Sequence, residues 1–226
     1  MTIRGLIFDF DGLILDTETP QFNTWKDIYQ KHHLDFSVSL WSRCLGSDHS
    51  DFDPLAYLED KTNQTVNRDT INEYFAQNAL RNILSQPPLP GVIEILDMAQ
   101  SLGLRIGLAS SGDRSWVHGH LKRLNLFDRF ECVFTSEDVQ FVKPAPQLFQ
   151  MAMTHLQIRP HETIVFEDSP NGILAANRAG CFCVAVPNKI SNLLDLSLAH
   201  LKLKSLNEIP LTDLIQRLTS SRNTDN

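Results

Sequence analysis

The sequence is short of several features that mark whole classes of protein. Its 226 residues include four cysteines, Cys44, Cys132, Cys181 and Cys183, and none of them are spaced as CxxC. Structural zinc sites usually need two such ligand pairs, and disulfide-stabilised domains need a higher cysteine content. We therefore interpret the cysteines as small buried hydrophobic residues.

Basic clusters and long apolar runs are also lacking. The 20 Lys and Arg residues against 27 Asp and Glu residues leave a formal net charge of -7 at pH 7, whereas nucleic-acid and anionic-membrane surfaces begin with clustered basic groups. No apolar run approaches the ~20 residues that cross a bilayer, and the first residues lack the pattern of a secretion signal. We expect a cytoplasmic protein with no nucleic-acid or membrane partner.

The apolar runs that are present are short, and they alternate with helical patterns. Five of them are typical of strands buried on both faces: Ile3–Phe8, Arg105–Ala109, Cys132–Thr135, Thr163–Phe166 and Cys181–Val186. Between these runs, apolar residues recur at helical spacing, as in Asp113–Leu124 and Pro146–Leu156. This alternation predicts an α/β fold built on a Rossmann-like parallel sheet.

One long stretch interrupts the alternation. Residues 17–86 contain no strand-like run, and their apolar residues fall at helical periods. The stretch ends at Pro87–Gly91, whose prolines are typical of a stiff connection rather than a helix. We predict that residues 1–16 and 88–226 form the Rossmann-like core domain and that residues 17–87 form an inserted α-helical cap domain.

Polar residues follow the predicted strands at the point where each one ends. Asp9 and Asp11 follow the first strand, Ser110, Ser111 and Gly112 the second, Lys143 lies beyond the third, and Glu167 and Asp168 follow the fourth. In an open parallel sheet, ligands bind at the carboxyl ends of the strands. We therefore expect these residues to converge on one edge of the sheet.

The residue types at this edge are those that phosphoryl transfer needs. Asp9 and Asp11 would repel each other without a cation or a shared proton, and with Asp168 they make an all-oxygen set suited to Mg²⁺. Lys143 and Ser110 can hold the oxygens of a phosphoryl group. A carboxylate nucleophile at Asp9 would form an aspartyl-phosphate, and Asp11 would carry the protons. The pattern predicts a Mg²⁺-dependent phosphoryl-transfer site.

Four short motifs occur in a fixed order along the chain. They are Asp9-Phe10-Asp11-Gly12 with Asp16-Thr17-Glu18, then Ser110, then Lys143-Pro144-Ala145-Pro146, then Glu167-Asp168-Ser169-Pro170-Asn171-Gly172-Ile173. In this order they resemble the motifs of the haloacid dehalogenase (HAD) superfamily. The resemblance is to its β-phosphoglucomutase-like branch, subfamily IA, whose members carry a helical C1 cap after the first strand.

The resemblance implies a role for each motif residue. Asp9 would be the nucleophile and Asp11 the general acid and base. The phosphate-binding residues would be Ser110, Ser111, Gly112 and Lys143. The metal ligands would be Asp9, Asp168, the backbone carbonyl of Asp11 and Glu167, the last directly or through water.

Single residues bear on the branch of the family. Its dehalogenases and phosphonate hydrolases lack an aspartate where Asp11 stands, so Asp11 favours phosphate esters. The sugar phosphomutases carry a cap-linker histidine where this chain has Gln21 and a cap arginine where His49 aligns. Both departures weaken the mutase interpretation.

We therefore expect a phosphatase that acts on a small phosphorylated metabolite, either a sugar phosphate or a nucleotide-related monoester. Glu18, Gln21 and His49 are the candidate substrate contacts in the cap. Two alternatives stay open: a hexose-phosphate mutase of the β-phosphoglucomutase type, and a non-enzymatic phospho-aspartate switch. The expected oligomeric state is a monomer or a weak homodimer.

Overall fold

The computed structural model of the chain describes residues 2–41 and 52–221. Its strands there are β1 (Gly5–Phe8), β2 (Arg105–Ala109), β3 (Cys132–Phe134), β4 (Thr163–Glu167), β5 (Phe182–Ala185) and β6 (Leu201–Lys202). Its helices there are α1 (Glu18–Lys31), α2 (Val38–Trp41), α3 (Pro54–Thr62), α4 (Arg68–Leu84), α5 (Val92–Ser101), α6 (Arg114–Arg123), α7 (Gln147–Leu156), α8 (Pro170–Arg178) and α9 (Leu211–Ser221). No helix in these ranges is both long and apolar enough to cross a membrane.

The strands form one parallel sheet in the order β3-β2-β1-β4-β5-β6. The first strand of the chain therefore lies inside the sheet, between β2 and β4. The predicted α/β class with a Rossmann-like parallel sheet is confirmed, and five strands fall within a residue or two of the predicted runs. The two-residue edge strand β6 was not predicted, because it is too short to show a period.

Alternate residues of the central strands enter two different apolar clusters. Leu6 and Phe8 of β1 belong to one cluster, with residues of α5, α6 and α9. Ile7 belongs to the other, with residues of α7 and α8. Successive strand residues point to opposite faces of the sheet, so the two clusters lie on opposite faces. Helices α5, α6 and α9 therefore cover one face, and α7 and α8 cover the other. Strands buried in this way read as continuous apolar runs rather than as alternating ones.

Helices α1 to α4 follow β1 and have an apolar cluster of their own. The cluster is rich in aromatic residues, including Trp25, Tyr29 and Phe36. The ring centroids of Tyr29 and Phe36 lie 4.5 Å apart. Ile190, from the segment after β5, also packs in it. The division at residues 16–17 and 87–88 stays a prediction.

The chain returns from these helices through the proline-rich connection. The Leu89 N–H donates to the Ile14 carbonyl at 2.9 Å, which joins the outgoing and returning segments. Arg123 of α6 donates to the carbonyls of Leu84 and Gln86 at 3.0 and 3.1 Å. Leu84 is the last residue of α4, and Gln86 lies two residues beyond it. The last carbonyl groups of a helix have no intrahelical donors, and Arg123 supplies donors here. The C-terminal end of the helical insertion is thus bonded to α6, and the segments that flank the insertion are bonded to each other.

The described cysteines are buried and free. Cys132 lies in β3, Cys181 precedes β5 and Cys183 lies within it. All three belong to the apolar cluster on the α7 and α8 side. They fill space as small hydrophobic side chains do. Cys44 lies outside the described residues.

Candidate active site

Parallel pairing brings the ends of three strands together. Phe8 of β1 lies opposite Leu108 of β2 and Phe166 of β4. The next residue of the first strand, Asp9, donates its N–H to the Phe166 carbonyl at 3.0 Å. The residues that follow these strands, Asp9, Ser110 and Asp168, therefore lie at the same edge of the sheet, next to Glu167 at the end of β4.

A cavity of about 240 Å³ opens at this edge. It is lined by Asp9, Asp11, Glu18, Ser110, Ser111, Gly112, Val142, Lys143, Asp168, Ser169 and Asn171. The structure thus brings together eight of the predicted site residues and adds Val142, Ser169 and Asn171. Glu18, at the start of α1, is the described residue through which the predicted cap reaches the cavity.

Two predicted site residues do not line the cavity, and a third is not described by the structure. Glu167 lies behind the cavity wall, fully buried. Gln21 is not among the lining residues, and its side-chain amide donates to the Thr17 carbonyl at 3.0 Å within the first turns of α1. His49 lies outside the described residues. The prediction of Gln21 as a substrate contact therefore has no support from the cavity.

Lys143 is the cationic centre of the site. Its ammonium group contacts Asp9 Oδ1 and lies 2.7 Å from Glu167 Oε1, and only 5% of the residue is exposed. Burial by itself would lower the pKa of Lys143, but the two carboxylates outweigh that effect and hold its pKa above the usual value. Lys143 is therefore charged throughout the physiological range.

Glu167 positions Lys143 and closes the turn after β4. Its Oε1 accepts from Lys143 Nζ, and its Oε2 accepts from the Asp168 N–H at 3.0 Å and from the Ser169 N–H and hydroxyl at 3.1 and 2.9 Å. A Cβ atom on Gly172 would stand 1.7 Å from Glu167 Oε1. The glycine therefore lets the start of α8 lie directly against this carboxylate. Both oxygens of Glu167 thus accept from protein donors, and Glu167 also belongs to the group of acids that could hold a metal ion.

Asp9 and Asp11 differ in their partners. Burial raises the pKa of Asp9 to about 8; Lys143 opposes that rise, and Glu167 adds to it. Asp11 Oδ1 accepts a hydrogen bond from the indole Nε1 of Trp116 at 2.9 Å. Burial also raises the pKa of Asp11, and the hydrogen bonds from the side chains of Trp116 and Thr17 oppose the rise. Asp9 is thus paired with a cation, and Asp11 with neutral donors.

Asn188 is a site residue that the sequence reasoning missed. Its Nδ2 donates to Asp168 Oδ2 at 2.8 Å and lies 3.3 Å from Glu18 Oε2. Its Oδ1 accepts from the N–H groups of Ile190 and Ser191 at 2.8 and 2.9 Å, which fixes the side chain. Asn188 lies shortly after β5, so its position beyond the end of a strand is the sequence signal that marks it.

Gly12 is required where Asn188 and Asp168 meet. Its φ of 81° lies in the left-handed region that favours glycine. A Cβ atom there would stand 2.3 Å from Asp168 Oδ2 and 2.6 Å from Asn188 Nδ2. The backbone after Asp11 therefore passes directly against the Asp168 carboxylate.

The donor set fits a hard divalent cation. Asp9, Glu167 and Asp168 are buried and offer carboxylate oxygens that lie within 4.8 Å of one another. Burial raises the pKa of Asp168 well above its usual value, and the charges of Glu18 and Glu167 add to the rise. Lys143 is the one basic residue in the lining that the described chain provides. Oxygen donors with excess negative charge are what Mg²⁺ prefers.

Three larger grooves lie on the described surface. One of about 590 Å³ lies beside α7, one of about 600 Å³ beside the segment after β5, and one of about 350 Å³ beside the start of β2. None of the three includes the strand-end acids or Lys143. Convergent charged groups with shifted pKa values, rather than size, therefore mark the smaller cavity as the candidate active site.

Comparisons with known proteins agree with this geometry. The family model described as "Haloacid dehalogenase-like hydrolase" matches residues 6–186. The curated protein "Putative phosphatase YhcW" of Bacillus subtilis (strain 168) is 41% identical over 218 residues, which cover 96% of this chain and 99% of that protein. "Hexitol phosphatase B" of Escherichia coli (strain K12) is 28% identical over 215 residues, with 94% and 97% covered.

Solved structures show the same fold. A HAD family hydrolase from Deinococcus radiodurans R1, with bound phosphate and sodium, superposes with a TM-score of 0.77 at 22% identity, covering 96% of this chain and 97% of that one. A β-phosphoglucomutase from Clostridium difficile superposes with a TM-score of 0.71 at 24% identity, covering 97% and 99%. The predicted family and the predicted class of enzyme, a phosphoric monoester hydrolase, are confirmed. The chain belongs to the haloacid dehalogenase-like hydrolase family.

Proposed function

We propose that the protein is a Mg²⁺-dependent phosphatase that hydrolyses a small phosphorylated metabolite through an aspartyl-phosphate at Asp9. The observation that carries the proposal is the buried contact between Asp9 and Lys143 at the floor of a small acidic cavity. The contact holds a carboxylate oxygen beside a cation that can also neutralise the oxygens of a transferring phosphoryl group.

The first step transfers the phosphoryl group to the enzyme. An Asp9 carboxylate oxygen attacks phosphorus, and the bond from phosphorus to the leaving oxygen breaks. Asp11 gives its proton to that leaving oxygen, so the dephosphorylated metabolite departs neutral. Lys143 and the loop of Ser110 and Gly112, which line the cavity, hold the remaining phosphoryl oxygens.

The second step releases phosphate. Asp11, now a carboxylate, takes a proton from a water molecule that attacks phosphorus. The bond from phosphorus to Asp9 breaks, and both aspartates return to their starting states. Asp9, Asp168 and the Asp11 backbone carbonyl would hold Mg²⁺, which supplies positive charge to the phosphoryl oxygens when bound.

A sugar phosphate is the substrate class with the most support. One curated relative is named hexitol phosphatase B, after the phosphate of a sugar alcohol, and it aligns over 94% of this chain. Glu18, which lines the cavity from the start of α1, is placed to accept a hydrogen bond from a hydroxyl of the leaving group. We propose that residues 17–87 form the cap that closes over this group.

The test is phosphate release from a panel of sugar phosphates and nucleoside monophosphates, with Mg²⁺ or with EDTA. We expect Mg²⁺-dependent release that Asp9→Asn abolishes and that Asp27→Asn, a change on the exposed face of α1, leaves unchanged. Interconversion of sugar phosphates stimulated by a bisphosphate, with little phosphate release, would replace the proposal with the mutase. A long-lived phosphorylated form without turnover would replace it with the phospho-aspartate switch.

A further inference from the structure

Trp116 contacts the proposed acid and base from the phosphate-binding side of the site. It lies in the first turn of α6, and its backbone N–H donates to the side chain of the N-cap residue Asp113 at 2.8 Å. Its indole Nε1 reaches Asp11 Oδ1 at 2.9 Å, across 105 residues of sequence. The loop of Ser110 to Gly112 directly precedes this helix start, so one short segment brings both the phosphate-binding loop and the indole to Asp11.

The indole is held in place by its neighbours. Its ring packs edge-on against His120, with centroids 4.2 Å apart and planes at 69°. His120 is buried and lies 6.2 Å from the ring of Phe10, which precedes Asp11. Trp116 itself is half-buried. An indole held in this way presents its N–H in one direction.

The chemistry of the contact distinguishes the two oxygens of Asp11. An indole N–H donates a hydrogen bond and cannot accept one, so Oδ1 is held as an acceptor. The other oxygen, Oδ2, lies on the cavity side, because a Cβ atom on Gly112 would be 3.1 Å from it. The proton that Asp11 exchanges therefore belongs on Oδ2, beside the loop that receives the phosphoryl group.

We propose that Trp116 is a positioning residue that pins Oδ1 of Asp11 and so directs Oδ2 toward the leaving oxygen. The inference rests on the proposed function, since it concerns the acid step of that reaction. In that step the Oδ2 proton moves to the leaving oxygen as the phosphorus–oxygen bond breaks. The indole N–H stabilises the carboxylate that remains, and this carboxylate takes the proton of the attacking water in the next step.

Leaving groups of different basicity expose this role. An alkoxide, as in a sugar phosphate, needs a proton in order to leave, whereas p-nitrophenolate leaves without one. The ratio kcat/KM reports steps only up to the first irreversible one, so hydrolysis of the aspartyl-phosphate does not enter it. A residue that acts through the acid step should therefore matter for the sugar phosphate and not for p-nitrophenyl phosphate.

The experiment measures kcat/KM on both substrates for the wild type, Trp116→Phe, Asp11→Asn and the double variant. On the sugar phosphate we expect Asp11→Asn to lose about 10²–10⁴-fold and Trp116→Phe to lose about tenfold. On p-nitrophenyl phosphate we expect each to lose less than about threefold. In the Asp11→Asn background, Trp116→Phe should cost nothing more, because a positioning residue has no effect without the group it positions.

Equal losses on the two substrates, or additive losses in the double variant, would overturn the inference and assign Trp116 to packing alone. Thermal unfolding of Trp116→Phe checks its fold, and Trp116→Leu provides a second variant that lacks the donor. If Asp11→Asn shows no dependence on the leaving group, the acid role of Asp11 in the proposed function fails, and the Trp116 inference fails with it. If Asp11→Asn shows that dependence and Trp116→Phe does not, the proposed function stands and only the Trp116 inference falls.

Discussion

The carboxyl edge of the sheet and the helical insertion use their buried groups in opposite ways. At the sheet edge the buried side chains include Asp9, Lys143, Glu167 and Asp168, and each contacts another charged or polar group of the site. In the described part of the insertion the buried side chains are mostly aromatic and aliphatic, and they pack on one another. The edge therefore concentrates buried charged groups that contact one another, whereas the interior of the insertion is an apolar core.

The ion pairs of the two regions differ in the same sense. In the insertion, Arg68 lies 2.5 Å from Glu59 and 3.2 Å from Asp53, with nearly half of its side chain exposed. Exposed pairs contribute little to stability because water and salt screen them. The pairs of Lys143 are buried, so removing one partner leaves a charge without compensation. Changes at the edge should therefore affect both folding and activity, whereas changes in the apolar interior or at the exposed ion pairs of the insertion should affect mainly folding.

The largest expected effect comes from Lys143→Ala. The variant leaves the carboxylates of Asp9 and Glu167 buried without their cation, so we expect a loss of about 3–5 kcal/mol in the free energy of unfolding. We also expect phosphate release to fall about 10²-fold or more, because the charge on the phosphoryl group is no longer neutralised. Urea unfolding and a phosphate assay measure the two quantities.

The matched change in the insertion is Arg68→Ala, which removes exposed ion pairs. It should leave the free energy of unfolding nearly unchanged and turnover unchanged, because water and salt screen exposed pairs. If Lys143→Ala were as stable and as active as Arg68→Ala, the contrast between buried and exposed charge would be wrong.

A second effect is expected at the junction of the two regions, in Asn188→Ala. The change removes the amide that donates to Asp168 and approaches Glu18. Residues that orient a metal ligand typically affect metal affinity by about 10–100-fold, so the Mg²⁺ dissociation constant should rise by that order. Isothermal titration calorimetry measures it without substrate. Asn192→Ala, an exposed asparagine of the same segment, is the control, and equal affinities in the two variants would refute the role of Asn188.

Gly172→Ala tests how closely α8 approaches Glu167. The added methyl group must displace the carboxylate or the helix, and such overpacking typically costs about 1–3 kcal/mol. Gly119→Ala is the control, because no atom lies within 4 Å of the position of its Cβ on α6. That change should stabilise the protein by about 0.5–1 kcal/mol through helix propensity. Chemical unfolding of both variants should give shifts of opposite sign, and shifts of the same sign would contradict the geometry.

A small effect is also expected within the insertion, in Tyr29→Phe. The change removes the hydrogen bond from the Tyr29 hydroxyl to the Pro54 carbonyl at 2.6 Å and keeps the ring. It should cost about 1 kcal/mol in unfolding free energy and leave kcat unaltered, since the ring lies in the apolar cluster rather than in the cavity. A loss of kcat comparable with that of Lys143→Ala would break the division between the two regions.

The site residues that could be predicted from the sequence are those that follow a buried strand, because parallel strands end at the same edge of the sheet. Asp9, Ser110 and Asp168 were predicted to meet because each follows a buried strand, and the parallel sheet does align those strand ends. The sheet itself was predictable because its strands are apolar along their whole length. The two-residue strand β6 carries no such signal.

Contacts between distant segments could not be predicted in the same way. Trp116 fits the pattern of an ordinary helix residue, and nothing near it in the sequence indicates that its indole reaches Asp11. The position of Gln21 in the chain predicts a side chain near the cavity, whereas its side-chain amide donates to the Thr17 carbonyl. Side-chain direction at a junction depends on packing, which a period of apolar residues does not encode.

The most direct test of the account is to identify the residue that carries the phosphoryl group during turnover. Enzyme mixed with Mg²⁺ and its best substrate would be quenched rapidly in acid, digested and analysed by peptide mass spectrometry. We expect a phosphoryl group on Asp9 that forms and decays at least as fast as turnover. The Asp9→Asn variant should lack it. Turnover without a phosphorylated Asp9, or a phosphoryl group on another residue, would contradict it.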